Sequence, residues 1–186
     1  MTKVRFMYAK NIHTFALFGH IIRWFERLTT GLDASHCMVE ISSGEDIFIV
    51  ESIFPRGRIV KNYQYSSKYK IVESFEFKTE KPLEDILNYC RAHIEDRPYS
   101  LWQNIELGFL GLIVDALKYK NWSYKERLEL NGRHVQNCSE VQIMIAQYLF
   151  NIHPTEGLDQ YSVGEARDLI YTIYLLRGTK WQSSHS

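Results

Sequence analysis

Cys138 lies in a sequence context that favours an ionised thiol. It follows Asn137, a residue type preferred at helix N-caps, and Glu140 stands three residues after Asn137, as in a capping box. The sequence therefore predicts that Cys138 occupies the first turn of a helix over residues 135–150. The helix dipole there favours a thiolate, and the unpaired N–H groups of that turn could bind an oxyanion. The chemistry indicated is nucleophilic attack by sulfur.

A cysteine nucleophile needs an imidazole base and a polar group that orients the ring. Of the seven histidines, His36 is the one predicted in a strand, where its ring would be rigidly aimed. The others fall in predicted helices, loops or the tail. A partly buried structural histidine is the alternative for His36, and a buried unreactive thiol is the alternative for Cys138. Cys90, on the apolar face of a predicted helix, is interpreted as a packing residue.

Residues 35–53 are predicted to form a β-hairpin that supplies the orienting group. A turn at residues 43–44 would place Glu51 directly opposite His36, with Cβ atoms roughly 4.5–5.5 Å apart. The carboxylate would then hold one imidazole nitrogen and leave the other for the thiol. Glu40 is the rival carboxylate, but it lies roughly 13 Å from His36 along the same strand.

Composition limits the class of protein. The 186 residues suit one domain, and 22 basic residues balance 22 acidic ones, which argues against a broad nucleic-acid surface. Three widely spaced cysteines predict neither a disulfide framework nor a structural zinc site. The early apolar runs are interrupted by charges, so no signal peptide is expected. We therefore expect a cytoplasmic chain without metal or cofactor.

The other elements are predicted from hydrophobic periodicity and from turn residues. Strands are expected over 4–8, 58–60 and 70–78, and helices over 15–28, 83–94, 101–117 and 162–173. In the last strand, Ile71, Glu73, Phe75 and Phe77 are predicted to share one face. This order favours an α+β fold with an antiparallel sheet packed against helices. Residues 1–186 would form one domain, with 118–135 as a lid or surface insertion and 178–186 as a flexible tail.

Four short motifs, in this order, resemble a known family: Ser35-His36 opening a strand, residues 49–52 on the next strand, Pro98-Tyr99, and residues 137–140 opening a helix. They are similar to the circularly permuted NlpC-like papain-fold hydrolases. The closest likeness is to their YiiX-like branch, kin to the lecithin:retinol acyltransferase group. In these proteins the histidine precedes the cysteine, as it does here.

The resemblance implies a papain-like fold and a role for each matching residue. Cys138 would be the nucleophile, His36 the base, Glu51 the orienting group, and Tyr99 a residue lining the substrate cleft. The implied substrates are amides or peptides, including peptidoglycan stem peptides, and the implied source is bacterial or phage. The family needs no metal or cofactor.

Two alternatives remain open. The apolar run 107–114 is too short to span a bilayer, but it could hold a lipid chain, which would make the protein a thioesterase or acyltransferase. A buried core helix is the preferred interpretation of that run. The chain could also be a non-catalytic binding protein that keeps a papain-like scaffold, since fold does not fix function. The expected partner is thus a peptide or acyl substrate, with no nucleic acid and no transmembrane segment.

Overall fold

The computed structural model describes residues 1–12, 32–53, 55–99, 137–152 and 163–182. Its strands are β1 (Thr2–Asn11), β2 (His36–Ser43), β3 (Asp46–Ile53), β4 (Arg56–Lys61) and β5 (Tyr69–Thr79). Its helices are α1 (Leu83–His93), α2 (Cys138–Phe150) and α3 (Val163–Gln182), and a single 3₁₀ turn spans Tyr65–Ser67.

The five strands form one antiparallel sheet in the order β4-β3-β2-β1-β5. The predicted α+β class and antiparallel sheet are therefore confirmed. β2 and β1 are central strands, each paired on both sides. β2, β3 and β4 follow one another in the chain and are also neighbours in the sheet. The strands that carry His36 and Glu51, β2 and β3, therefore lie side by side.

The three described helices contribute to one hydrophobic core against one face of the sheet. The sheet side of this core includes Val4, Phe6, Tyr8, Cys37, Val39, Ile41, Val50, Phe75 and Phe77. The first nine residues of α2 are all buried, whereas the periodicity predicts a single apolar stripe. A helical segment that is buried on every side lies in the core rather than at the surface. The surrounding side chains therefore fix the position of the N-terminus of α2.

A β-bulge in β5 changes which residues face the helices. Tyr8 of β1 pairs with Glu73, but the next residue, Ala9, pairs with Ile71, so Val72 is the extra residue. The insertion reverses the alternation of side chains from that point. The prediction that Ile71 shares a face with Phe75 and Phe77 is therefore wrong, because strict alternation cannot foresee a bulge.

The opposite face of the sheet carries a smaller apolar cluster. Met7, Ala9, Met38 and Ile49 form its buried centre, and Tyr63, Tyr65, Tyr69 and Ile71 pack on it. The three tyrosines come from the connection between β4 and β5 and from the first residue of β5. Residues of this connection and the start of β5 thus cover part of this face of the sheet.

Several predicted features lie outside the described residues. These are the helices over 15–28 and 101–117, the apolar run 107–114, and the lid or insertion at 118–135. α3 continues to Gln182, into the segment 178–186 predicted as a flexible tail. Within the described part of the chain, no helix is both long and apolar enough to cross a membrane.

Candidate active site

Cys138 is the first residue of α2, as predicted. The Asn137 side chain caps the helix: its Oδ1 accepts hydrogen bonds from the Glu140 N–H and from the Ser139 hydroxyl, both at 2.7 Å. Because the Glu140 N–H can only donate, the orientation of the Asn137 amide is fixed. Asn137 is completely buried, and its Nδ2 has no hydrogen-bond partner among the described residues.

Gln142 anchors this end of α2 to the sheet. Its Nε2 donates to the backbone carbonyls of Met7 in β1, at 3.2 Å, and of Met38 in β2, at 3.1 Å. Gln142 lies one helical turn after Cys138, on the same side of α2. The amide therefore ties the helix that carries the thiol to the strand that carries His36. Sequence reasoning missed this role, although a glutamine within a strongly apolar helix is a usable signal.

The register of the β2–β3 hairpin differs from the prediction. The two turn residues are Gly44, with φ of 60°, and Glu45, so that Ser43 pairs with Asp46 and Val39 with Val50. The prediction that His36 and Glu51 lie directly opposite each other is therefore wrong. The shift amounts to two residues, which preserves the face of every side chain. Glu51 stays on the face of His36, diagonally across the two strands.

His36 and Glu51 nevertheless form the predicted hydrogen bond. Imidazole Nε2 and Glu51 Oε2 are 2.7 Å apart, and both side chains are buried. His36 also lies within hydrogen-bonding reach of the Cys138 thiol. Because Nε2 faces Glu51, the nitrogen that faces the thiol is Nδ1. The structure thus brings the three residues together in the order thiol, imidazole and carboxylate.

Arg58 of β4 completes the surroundings of Glu51. Its Nε donates to Glu51 Oε1 at 2.9 Å and its Nη2 donates to the same oxygen, so each carboxylate oxygen has a different partner. The guanidinium also stacks over the ring of Tyr63, 4.8 Å from its centroid. The sequence predicts a strand at Arg58 but no role for this residue. Pairing that strand with β3 places Glu51 and Arg58 directly opposite each other.

Tyr69 packs against the candidate base. Its ring stacks on the imidazole of His36, with centroids 5.0 Å apart and an interplanar angle of 25°. The bulge at Val72 makes this contact possible, because it places Tyr69 on the His36 face of the sheet. The ring restricts the orientation of the imidazole, which Glu51 also fixes by hydrogen bonding.

The electrostatics favour a charged thiol and a charged imidazole. Hydrogen bonds from Cys37 and His36, together with the charge on His36, hold the pKa of the Cys138 thiol well below its usual range, although burial opposes this. Burial also disfavours the imidazolium, but the contacts with Cys138 and Glu51 raise the pKa of His36 from 6.5 to about 9. Both shifts favour the thiolate–imidazolium form of the pair over the neutral form.

Glu51 is a charged partner for that imidazolium. Burial acts to raise the pKa of its carboxyl, but the hydrogen bonds and charges of His36 and Arg58 lower it below the ordinary value. A buried carboxylate with two cationic partners stays ionised across the neutral range.

Tyr99 and the rival carboxylate Glu40 have backbone partners in other parts of the sheet. The backbone N–H of Tyr99 donates to the carbonyl of Pro55 at 2.9 Å, which places Tyr99 beside the β3–β4 connection. Its role in lining a cleft stays a prediction. The rival carboxylate, Glu40, pairs across the sheet with Arg5 rather than with His36. No group of residues suited to binding a metal occurs within the described ranges.

Comparisons of the chain with models of protein families, with curated proteins and with solved structures found no match.

Proposed function

We propose that this protein is a cysteine hydrolase with a papain-like fold, of the kind found in the circularly permuted NlpC-like hydrolases that its motifs resemble. One observation carries the proposal. A thiol at the N-terminus of a buried helix meets an imidazole whose other nitrogen is bound, at 2.7 Å, by a buried carboxylate. This arrangement supplies a nucleophile, a base and an orienting group.

The first half of the reaction is acyl transfer to sulfur. The Cys138 thiolate attacks the carbonyl carbon of an amide, and the carbonyl oxygen becomes an oxyanion. The Nδ1–H of the His36 imidazolium then protonates the amide nitrogen as the C–N bond breaks. The amine leaves, and a thioester of Cys138 with a neutral imidazole remains. Glu51 keeps the ring aligned throughout, because it accepts a hydrogen bond from Nε2.

Donors for the oxyanion are available at the start of α2. The backbone N–H of Cys138 belongs to the first helical turn, whose amides have no intrahelical acceptor. The Nδ2 of Asn137 is a second buried donor, without a partner among the described residues and one residue before the nucleophile. In this proposal both groups hydrogen-bond the tetrahedral intermediate.

The second half of the reaction is hydrolysis. Neutral His36 takes a proton from water through Nδ1, and the resulting hydroxide attacks the thioester carbon. The C–S bond breaks, the carboxylic acid leaves, and the thiolate–imidazolium pair is restored. The proposed substrates are amides or peptides, and the resemblance suggests stem peptides of peptidoglycan among them.

The test is to trap and locate an acyl-enzyme. The protein is mixed with p-nitrophenyl acetate, quenched in acid, and analysed by intact mass and peptide mapping. We expect one acetyl group on Cys138 and release of nitrophenol that Cys138→Ala abolishes. Cys90→Ala is the matched control and should behave as the wild type. An unchanged rate in Cys138→Ala would overturn the proposal and favour a binding protein.

A further inference from the structure

The carboxylate of Glu51 joins two cationic groups rather than one. Oε2 accepts from His36, and Oε1 accepts both hydrogen bonds from Arg58. Glu51 is completely buried, whereas about a third of the Arg58 side chain is exposed. Among its described partners, Arg58 is thus the more exposed link between the buried carboxylate and the protein surface.

We infer that Arg58 is a positioning residue for the proposed reaction: it holds Glu51 ionised and oriented, and thereby sets the pH range over which Cys138 is a thiolate. This inference rests on the proposed function. Arg58 does not touch the thiol in the described network, so its effect must pass through the charge and position of Glu51.

Charge balance supports this role. With Cys138 and Glu51 as anions and His36 and Arg58 as cations, the four-residue network has no net charge. Without Arg58 it would carry one buried negative charge. Such a site takes up a proton at a higher pH, because every nearby pKa rises when a cation is removed. The proton taken up would neutralise the thiolate or Glu51, and either event disrupts the proposed nucleophile–base pair.

Three other ionisable side chains of the described residues lie beside this network. They are Cys37 on β2, Tyr69 on β5, and Tyr63 in the segment before β5. None of these carries a positive charge, so none can replace Arg58 beside Glu51.

A second arginine on β4, Arg56, provides a contrast with Arg58. Arg56, two residues before Arg58 on β4, forms an ion pair with Asp96 at 2.8 Å, and both side chains are more than half exposed. Exposed pairs of this kind contribute little to stability. Arg56 therefore offers a matched control: the same residue type on the same strand, without contact with a buried carboxylate.

The experiment measures the rate of Cys138 alkylation by iodoacetamide against pH, with circular dichroism as a check of folding. The variants are Arg58→Met and Arg58→Gln, with Arg56→Met and Arg56→Gln as controls. Arg58→Gln removes the charge but leaves a polar amide near Glu51, so it still tests the inference if Arg58→Met does not fold. We expect both Arg58 variants to shift the acidic limb of the profile upward by about one pH unit, which lowers the rate on that limb about tenfold. The Arg56 variants should follow the wild type.

Two failures can be told apart. If the Arg58 profiles superimpose on the wild type while the wild-type thiol reacts at low pH, the inference is wrong and the proposed function stands. If wild-type Cys138 shows no reactivity at low pH, both the inference and the proposed function are wrong. A merely structural role for Arg58 would lower the melting temperature without moving the pH profile, and that outcome also overturns the inference.

Discussion

Cys90 and Cys138 are buried cysteines on helices that pack on the same face of the sheet, yet their surroundings differ. Cys90 lies within α1 beside the buried side chains of Ile86, Leu87 and Ile94. Burial raises the pKa of its thiol to about 12. Cys138 is equally enclosed, but Cys37 and His36 hydrogen-bond its sulfur and lower its pKa.

The comparison shows that burial alone does not decide whether a thiol is inert. Desolvation disfavours both thiolates, and only Cys138 has partners that outweigh it. Those partners are the opening residues of β2, and one of them, His36, is held by Glu51 and Tyr69. The lowered pKa of Cys138 therefore comes from this end of the sheet and not from the cysteine itself.

The largest expected effect comes from removing the carboxylate of Glu51, which holds the imidazole beside Cys138. In Glu51→Gln, the pKa of His36 should fall from about 9 by at least about one unit, because an anion 2.7 Å away is lost. Hydrolysis should fall by about 10²-fold or more. NMR titration of the His36 ring and the rate of nitrophenyl ester hydrolysis measure these effects. The control is Glu40→Gln, which removes the rival carboxylate; an equal loss in that variant would contradict the assignment.

A smaller effect should follow from releasing α2 from the sheet. Gln142→Leu leaves the carbonyls of Met7 and Met38 without the two hydrogen bonds from the amide, at a cost of about 2 kcal/mol in the free energy of unfolding. Urea denaturation measures this change. Gln147→Leu, on a partly exposed position of the same helix, should cost much less. Equal stability of Gln142→Leu and the wild type would show that the amide does not anchor the helix.

The smallest expected effect concerns the pH dependence of stability. The raised pKa of His36 gives stability that is present below pH 6.5 and lost as pH rises through about 9. The lowered pKa of Cys138 gives stability that is present above pH 9.0 and lost as pH falls through the folded value. At a pH above both 6.5 and the folded pKa of Cys138, and below 9, the folded and unfolded chains then bind the same number of protons at these two groups. The two groups together should therefore leave the free energy of unfolding independent of pH in that range.

Cys138→Ala breaks this balance and provides the measurement. The variant removes the contacts with Cys138 that raise the pKa of His36, so NMR titration should show the imidazole losing its proton below pH 9, by at least about one unit. Cys90→Ala serves as the control for loss of a buried thiol and should leave the His36 titration as in the wild type. An unchanged His36 titration in Cys138→Ala would contradict the thiolate–imidazolium pair.

Local patterns were sufficient to predict much of this architecture. The cap at Asn137 and the hairpin of His36 and Glu51 depend on residues close together in the sequence, and both are present. The face of Glu51 was predicted although its register was not, because a shift of two residues preserves the alternation of side chains.

The features that were missed depend on contacts between distant segments. Tyr69 reaches His36 only because of the bulge at Val72, which follows no alternating pattern. Gln142 was placed on a helix, but its acceptors are 135 and 104 residues away along the chain. Arg58 was within reach of prediction, since it lies opposite Glu51 once β3 and β4 are paired.

The most direct test is the pH dependence of iodoacetamide alkylation at all three cysteines, followed by peptide mapping, in the wild type and in His36→Ala. We expect wild-type Cys138 to be alkylated at about pH 6 while Cys90 stays unreactive. In His36→Ala, the rate of Cys138 alkylation at that pH should be at least about tenfold lower. If Cys138 reacts no faster than Cys90, or if its profile is the same without His36, the thiolate–imidazolium pair does not exist and the proposed hydrolase activity falls with it.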